Sequence, residues 1–245
     1  MRKIALVTGG SRGIGAATCQ LLAANGYDVA VNCCNDMTAA EKIADAVQQQ
    51  GGRSVVVRAN VSVEAEVVTM FETVDHELGI LDALVNNAGF IGHKGRVDEL
   101  DEANIMSVLR TNVLGPVLCS REAVRRMSTR YGGKGGAIVN VSSGSAYIGN
   151  PGSNVIYAVS KGGLNSLMIG LSQEVAGEGI RVNNVSPGLT RTDMVSAEQA
   201  TADIGKVPIG RLGEAREVAE GILWLLSDNA GFVAGANIRI AGGRP

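Results

Sequence analysis

Apolar and polar positions alternate between two patterns along the first 190 residues. Short, largely apolar runs recur at 3–8 (KIALVT), 28–33, 54–58, 81–86, 137–141 and 181–185. Such near-continuous runs suit strands buried on both faces of a parallel sheet. Between them, apolar residues fall at helical spacing over 14–25, 38–50, 63–78 and 104–129, and again from about residue 157. A helix over 214–226 and a short strand over 237–240 close the pattern. Strands alternating with helices specify right-handed crossovers and a parallel sheet. No composition break or long linker interrupts them, so residues 1–245 are expected to form a single α/β domain, doubly wound, with helices on both faces.

Composition narrows the function classes. A net charge of -2 argues against non-specific binding to nucleic acid or to an anionic membrane surface. No apolar run is long enough to span a membrane, and the run at 4–7 is too short for a signal peptide, so a cytoplasmic protein is expected. Cys19, Cys33, Cys34 and Cys119 lack C-x-x-C spacing and read as reduced thiols. Only His76 and His93 are available, which leaves little material for a metal site, and none is expected.

Three stretches carry candidate chemistry. The first, TGGSRGIG at 8–15, joins the first strand to the first helix. Gly9, Gly13 and Gly15, with Ser11, Arg12 and Ile14 between them, form a variant of the dinucleotide fingerprint. Glycines there let backbone N–H groups approach a pyrophosphate at the helix N-terminus. No Gly-Lys-Ser/Thr follows, which disfavours a P-loop NTPase. A carboxylate at the end of the second strand would hold the ribose 2′-hydroxyl of NAD. Here Asn32, Cys33, Cys34 and Asn35 precede the first carboxylate, Asp36, and Arg12 is available for a phosphate. NADP is therefore favoured, with NAD as the alternative.

The second stretch is Asn86-Asn87-Ala88-Gly89, where asparagines can stitch strands together and the small residues let a flat ring approach the backbone. Asn112 stands inside a helical pattern it does not favour and invites a local distortion. The third stretch runs from 139 to 161 and delivers Ser142 and Ser143 at a strand's C-terminal end, then Tyr157 and Lys161 on one helix face. An ammonium beside a phenol favours the phenolate. Ser143 can hold a carbonyl or alcohol oxygen while Tyr157 gives or takes the proton, a site for carbonyl/alcohol interconversion given a hydride source.

Taken together, TGGSRGIG, NNAG, Asn112 in RTNVLG, Ser143, Tyr157-x-x-x-Lys161, and Pro187-Gly188 with Thr192 resemble the short-chain dehydrogenase/reductase family over essentially the whole chain. The sequence is most similar to bacterial glucose-1-dehydrogenase-like and 3-oxoacyl-ACP-reductase-like members. The resemblance implies a seven-stranded parallel sheet, a Rossmann fold and a homotetramer. It implies that Ser143 positions the substrate oxygen, Tyr157 is the acid/base, Lys161 lowers the tyrosine pKa and binds the nicotinamide ribose, and Asn112 holds a water in a relay to Lys161. It also implies cofactor contacts from Asn60 and Val61 near the adenine, from Asn87, Ala88 and Gly89, and from Pro187, Gly188, Thr190 and Thr192, the last at the carboxamide.

There are departures from the family. Ser143 and Tyr157 lie fourteen residues apart (157 − 143), one more than in many relatives, so the loop at 145–156 should bulge, with Ser142 and Ser145 as fallback candidates. Asn60 replaces the usual Asp, and Cys34 stands where a second basic residue is common. The expected activity is NADP(H)-dependent oxidation or reduction of a small molecule. The rival readings are reduction of 3-oxoacyl thioesters in place of sugar or polyol oxidation, and a non-catalytic dinucleotide sensor. The sensor is disfavoured because Asn112, Ser143, Tyr157 and Lys161 are all present. Residues 193–207 are expected to cover the substrate, with Tyr147, His93 and Lys94 as candidate contacts.

Overall fold

The computed structural model describes residues 2–193 and 202–244. Seven parallel strands form one sheet in the order β3-β2-β1-β4-β5-β6-β9. They are β1 (Lys3–Val7), β2 (Tyr27–Cys33), β3 (Ser54–Arg58), β4 (Ala83–Asn86), β5 (Gly136–Val141), β6 (Ile180–Pro187) and β9 (Asn237–Ile240). The strand order reverses between β1 and β4, which opens a crevice beyond the strands' carboxyl ends. Two short strands, β7 (Thr190–Arg191) and β8 (Gly213–Glu214), pair outside the sheet.

Successive side chains on each strand feed opposite layers. Ile4 and Leu6 pack with α3 (Glu64–Glu77), α5 (Gly115–Met127) and α7 (Val155–Val175). Ala5 and Val7 pack with α1 (Gly13–Ala24), α2 (Met37–Gln49) and α8 (Ala215–Leu226). Both faces are therefore covered, as the apolar runs anticipate.

One polar row crosses this apolar sheet. Asn86, Asn140, Asn184 and Asn237 are register partners on β4, β5, β6 and β9. Asn86 Nδ2 donates to Asn140 Oδ1 at 2.9 Å, and Asn140 Nδ2 donates to Asn184 Oδ1 at 2.9 Å. Asn184 and Asn237 then both donate to Asn165 Oδ1 on α7, each at 3.0 Å. Hydrogen bonding offsets the cost of burying these amides. Of the row's atoms, Asn86 Oδ1 is buried without a partner.

The helical stretch at 104–129 is two helices, α4 (Glu102–Leu109) and α5, joined by a π-helical turn at Arg110–Leu114. The distortion falls on the segment that contains Asn112. The loop after β5 holds a helical turn, α6 (Ser145–Ile148), and Asn150 in it has φ 47°. Of the expected substrate cover at 193–207, residues 194–201 lie outside the described residues; Ile204–Lys206 form a 3-10 turn.

Candidate active site

The loop between β1 and α1 is held from both sides. Gly9 N–H donates to Asn32 Oδ1 at 3.2 Å and Gly10 N–H to the Asn32 carbonyl at 2.8 Å. On the other side Asn87 Nδ2 donates to the carbonyls of Thr8 at 2.9 Å and Gly9 at 3.0 Å. The N–H groups of Asn87 and Ala88 both donate to Thr8 Oγ1 at 3.0 Å. Glycine is required at position 15, because a Cβ there would lie 2.3 Å from the Gly9 carbonyl oxygen. The helix that follows has no side-chain cap and no acidic residue in its first turn, leaving its positive end open to an anion.

A cavity of about 510 Å³ runs from Ile14, Asn87 and Gly89 past Ser143, Tyr157 and Lys161 to Pro187, Gly188, Thr190 and Thr192. Ser143 and Tyr157 both line it, and the Ser143 hydroxyl acts on the phenol in the sense that favours its ionised form. Lys161 is 4% exposed and donates from Nζ to the Val141 carbonyl at 2.7 Å. Its ammonium lies 5.6 Å from the Tyr157 ring centroid. Burial lowers the Lys161 pKa to about 8.

Here the electrostatics differ from the sequence expectation. Burial raises the Tyr157 pKa, and the neighbouring Ser143 hydroxyl pulls only partly against it. Lys161 sits over the ring and is bonded to a strand carbonyl, so it does not reach the hydroxyl as a hydrogen-bond donor.

Asn112 is fully buried and clamps the backbone after NNAG. Its Oδ1 accepts from Phe90 N–H at 3.0 Å, and its Nδ2 donates to the Phe90 carbonyl at 2.9 Å and to Ser160 Oγ at 3.1 Å. Gly89 fits between it and Lys161: a Cβ there would stand 3.1 Å from Asn112 Oδ1 and 3.6 Å from Lys161 Nζ.

The fallback serines are occupied elsewhere. Ser142 Oγ bonds the Lys161 carbonyl at 3.1 Å and Asn165 Oδ1 at 2.9 Å. Ser145 Oγ accepts from Asn150 Nδ2 at 2.9 Å. All three serines line the cavity, and Ser143 is the one that acts on the Tyr157 hydroxyl.

Several further candidates have defined positions. Asn32 is 1% exposed; besides holding the loop, its Nδ2 donates to the carbonyls of Val57 and Ala59 at 3.2 and 3.0 Å. Asn60 Oδ1 accepts from Ser62 N–H and Oγ, closing a turn after β3. Val61 is buried. Ser11 is half-buried in the loop, whereas Arg12 and Cys34 are exposed. Thr192 packs beside the loop, since a Cβ at Gly13 would lie 3.3 Å from its Cγ2. Lys94 lines the cavity, and neither His93 nor Tyr147 does. Tyr147 instead accepts from Asn237 Nδ2 at 2.9 Å.

A family model described as enoyl-(acyl carrier protein) reductase matches residues 9–244. YgfF of Escherichia coli strain K12, an oxidoreductase described as uncharacterized, is 49% identical over 245 residues, covering 98% of this chain and 99% of the relative. The chain belongs to the short-chain dehydrogenase/reductase family. FabG of Staphylococcus aureus strain Mu50, a 3-oxoacyl-[acyl-carrier-protein] reductase, is 36% identical, covering 99% of this chain and 98% of its own. A short-chain dehydrogenase of Burkholderia cenocepacia J2315, solved in complex with NADP, superposes with a TM-score of 0.92 at 33% identity, covering 98% and 97% of the two chains.

The residues of this short-chain dehydrogenase/reductase fit a nicotinamide dinucleotide. The uncapped α1 N-terminus and the close Gly9–Gly15 approach form a cradle that a Cβ would fill, at one end of the cavity holding Tyr157 and Lys161. Two participants escaped the sequence reading. Asn165 accepts from Ser142, Asn184 and Asn237 on one oxygen and so ties α7 to the sheet. Arg58, at the end of β3, donates from Nε to the Cys34 carbonyl at 3.2 Å. Neither has a motif around it; only the β2–β3 register brings Arg58 beside Cys33.

Proposed function

We propose that this enzyme is an NADP(H)-dependent oxidoreductase that interconverts a carbonyl and a secondary alcohol, with Tyr157 as its acid/base. The observation that carries the reading is the convergence of Ser143, Tyr157 and a buried Lys161 on the cavity that reaches the open N-terminal end of α1. The bound cofactor supplies or accepts the hydride. Ser143 and Tyr157 both present hydroxyl hydrogens to the substrate oxygen, and the raised Tyr157 pKa keeps that proton in place at neutral pH. As the proton leaves, the nearby Lys161 charge stabilises the tyrosinate. Asn112 and Lys161 both approach Gly89, and a water bridging them would return the proton.

NADP is favoured by the exposed Arg12 and by the commitment of Asp36. That carboxylate caps α2, accepting from Ala39 N–H at 3.0 Å, and is not extended towards a ribose. The NADP complex of the Burkholderia cenocepacia relative is consistent with this choice.

The outer cavity favours a substrate with an acidic group. Among the described residues, Lys94, Lys206 and Arg244 line it with one carboxylate, Asp203, which pairs with Lys206 at 2.6 Å. Two relatives fit that chemistry: the FabG reductase above, and a cis-4-hydroxycyclohexanecarboxylate dehydrogenase of Sinomonas cyclohexanicum, 38% identical over 244 residues.

We also read the protein as a cytoplasmic homotetramer. Exposed Leu114 and Val117 beside exposed Val159 and Ile169 on α7 offer apolar surface that subunit contacts would cover. Light scattering on the purified protein tests that state.

The functional test is a titration of NADPH fluorescence, followed by oxidation of NADPH with a panel of neutral and acidic ketones. Binding with turnover of acidic ketones is the expected result. Failure to bind either reduced nicotinamide overturns the reading.

A further inference from the structure

We propose that Arg58 is a specificity-determining residue that grips the cofactor's 2′-phosphate together with Arg12, the second cation being supplied by β3 and not by the chain after β2. The inference rests on the NADP reading above and adds to it a residue that no motif marks.

The end of β2 is where a dinucleotide's adenosine ribose meets this sheet, and two cation-bearing segments converge there on Asn32. The amide oxygen and main-chain carbonyl of Asn32 hold Gly9 and Gly10, three and two residues before Arg12. Its Nδ2 holds the carbonyls of Val57 and Ala59, the two residues that flank Arg58. One buried side chain thus fixes both arginine-bearing segments.

Arg58 pairs in register with Cys33, and its Nε donates to the Cys34 carbonyl at 3.2 Å. That bond fixes the guanidinium at the position where a basic side chain would otherwise be expected. Among the described residues, neither the terminal nitrogens of Arg58 nor the guanidinium of Arg12 has a hydrogen bond or ion pair. Asp36 accepts from Ala39 N–H and Glu66 from Asn60 N–H at 2.7 Å, and Glu41, which also acts on Cys33, forms no ion pair with either guanidinium. A guanidinium with two unspent nitrogens in a planar fork matches a phosphate. The 2′-hydroxyl of NAD offers no such charge.

The test is fluorescence titration of NADPH and NADH against the native protein, Arg58→Gln, Arg58→Lys and Arg12→Gln. A charged hydrogen-bonded pair contributes enough that Arg58→Gln should weaken NADPH binding by about 10-fold or more. NADH binding should move by less than about 2-fold, and Arg58→Lys should recover part of the loss. Equal losses for both cofactors would make Arg58 a structural clip on Cys34 and overturn the proposal, as would an unchanged NADPH affinity in Arg58→Gln. If the native protein binds NADH as tightly as NADPH, the NADP reading itself fails. A native NADPH preference that survives Arg58→Gln removes only the role of Arg58.

Discussion

Lys161 holds its ammonium 5.6 Å from the centroid of the Tyr157 ring while its hydrogen bond goes to the Val141 carbonyl, so the charge faces the ring and not the hydroxyl. The two groups therefore stay in their neutral-pH forms together: Tyr157 protonated because its pKa is raised, Lys161 charged until about pH 8.

Carbonyl reduction needs both of those forms. Its kcat/KM should be flat across neutral pH and decline above about pH 8, as Lys161 loses its charge. Alcohol oxidation needs the Tyr157 proton removed, so its kcat/KM should rise from neutral into mildly alkaline solution. Rate profiles in both directions, measured at limiting substrate, check the assignment. An oxidation rate already maximal at pH 6 would contradict a raised Tyr157 pKa.

Stability should follow the same lysine. Its pKa falls from 10.5 to about 8 on folding, so between those values the unfolded chain binds more protons than the native one. Cofactor-free protein should accordingly gain stability as pH rises through that window. Lys161→Met should flatten this component of the slope in urea unfolding at several pH values.

Tyr157→Phe keeps the ring under Lys161 and deletes only the exchangeable proton. It should lower kcat by roughly 100- to 10,000-fold while reduced-cofactor binding persists. Turnover and cofactor fluorescence on one preparation separate the two effects.

The adjacent serines should separate chemistry from architecture. Ser143→Ala should reduce kcat with little change in Tm. Ser142→Ala strips a partner from the Lys161 carbonyl and from Asn165, a loss of roughly 1–3 kcal/mol that would lower Tm by several degrees. Thermal melts beside steady-state rates give the comparison.

Gly15→Ala would drive a Cβ into the Gly9 carbonyl oxygen and Asn87 Nδ2, forcing the loop apart. NADPH and NADH binding should weaken together, in contrast to the selective loss expected at Arg58.

Much of this was legible in sequence because the relevant signals are local. Buried strands announce themselves as apolar runs, and the glycine loop, Asn112, Ser143 and the Tyr157–Lys161 spacing are short motifs whose chemistry depends on neighbours in the chain. What escaped depends on register and on side-chain direction. Arg58 reads as the polar end of a strand until β3 is laid beside β2. Asn165 reads as an ordinary helix residue until Ser142, Asn184 and Asn237 converge on it. The Tyr157 pKa is raised where the motif implies a lowered one, because burial dominates it and helical spacing does not reveal how deeply the phenol is buried.

The asparagine row on β4, β5, β6 and β9 carries a last consequence. Strands that are apolar on both sides gain almost the same burial when one slides along another by two residues, so hydrophobicity alone leaves their alignment degenerate. A slide that set Asn140 against Leu84 on β4 or Val182 on β6 would break its bond to Asn86 or to Asn184 in a dry interior, at a cost of roughly 1–3 kcal/mol for each broken partner. The row acts as a vernier: it admits one alignment, and in that alignment the strand ends bring NNAG, Ser143 and Pro187-Gly188 level with one another along the rim where the cofactor and substrate must meet.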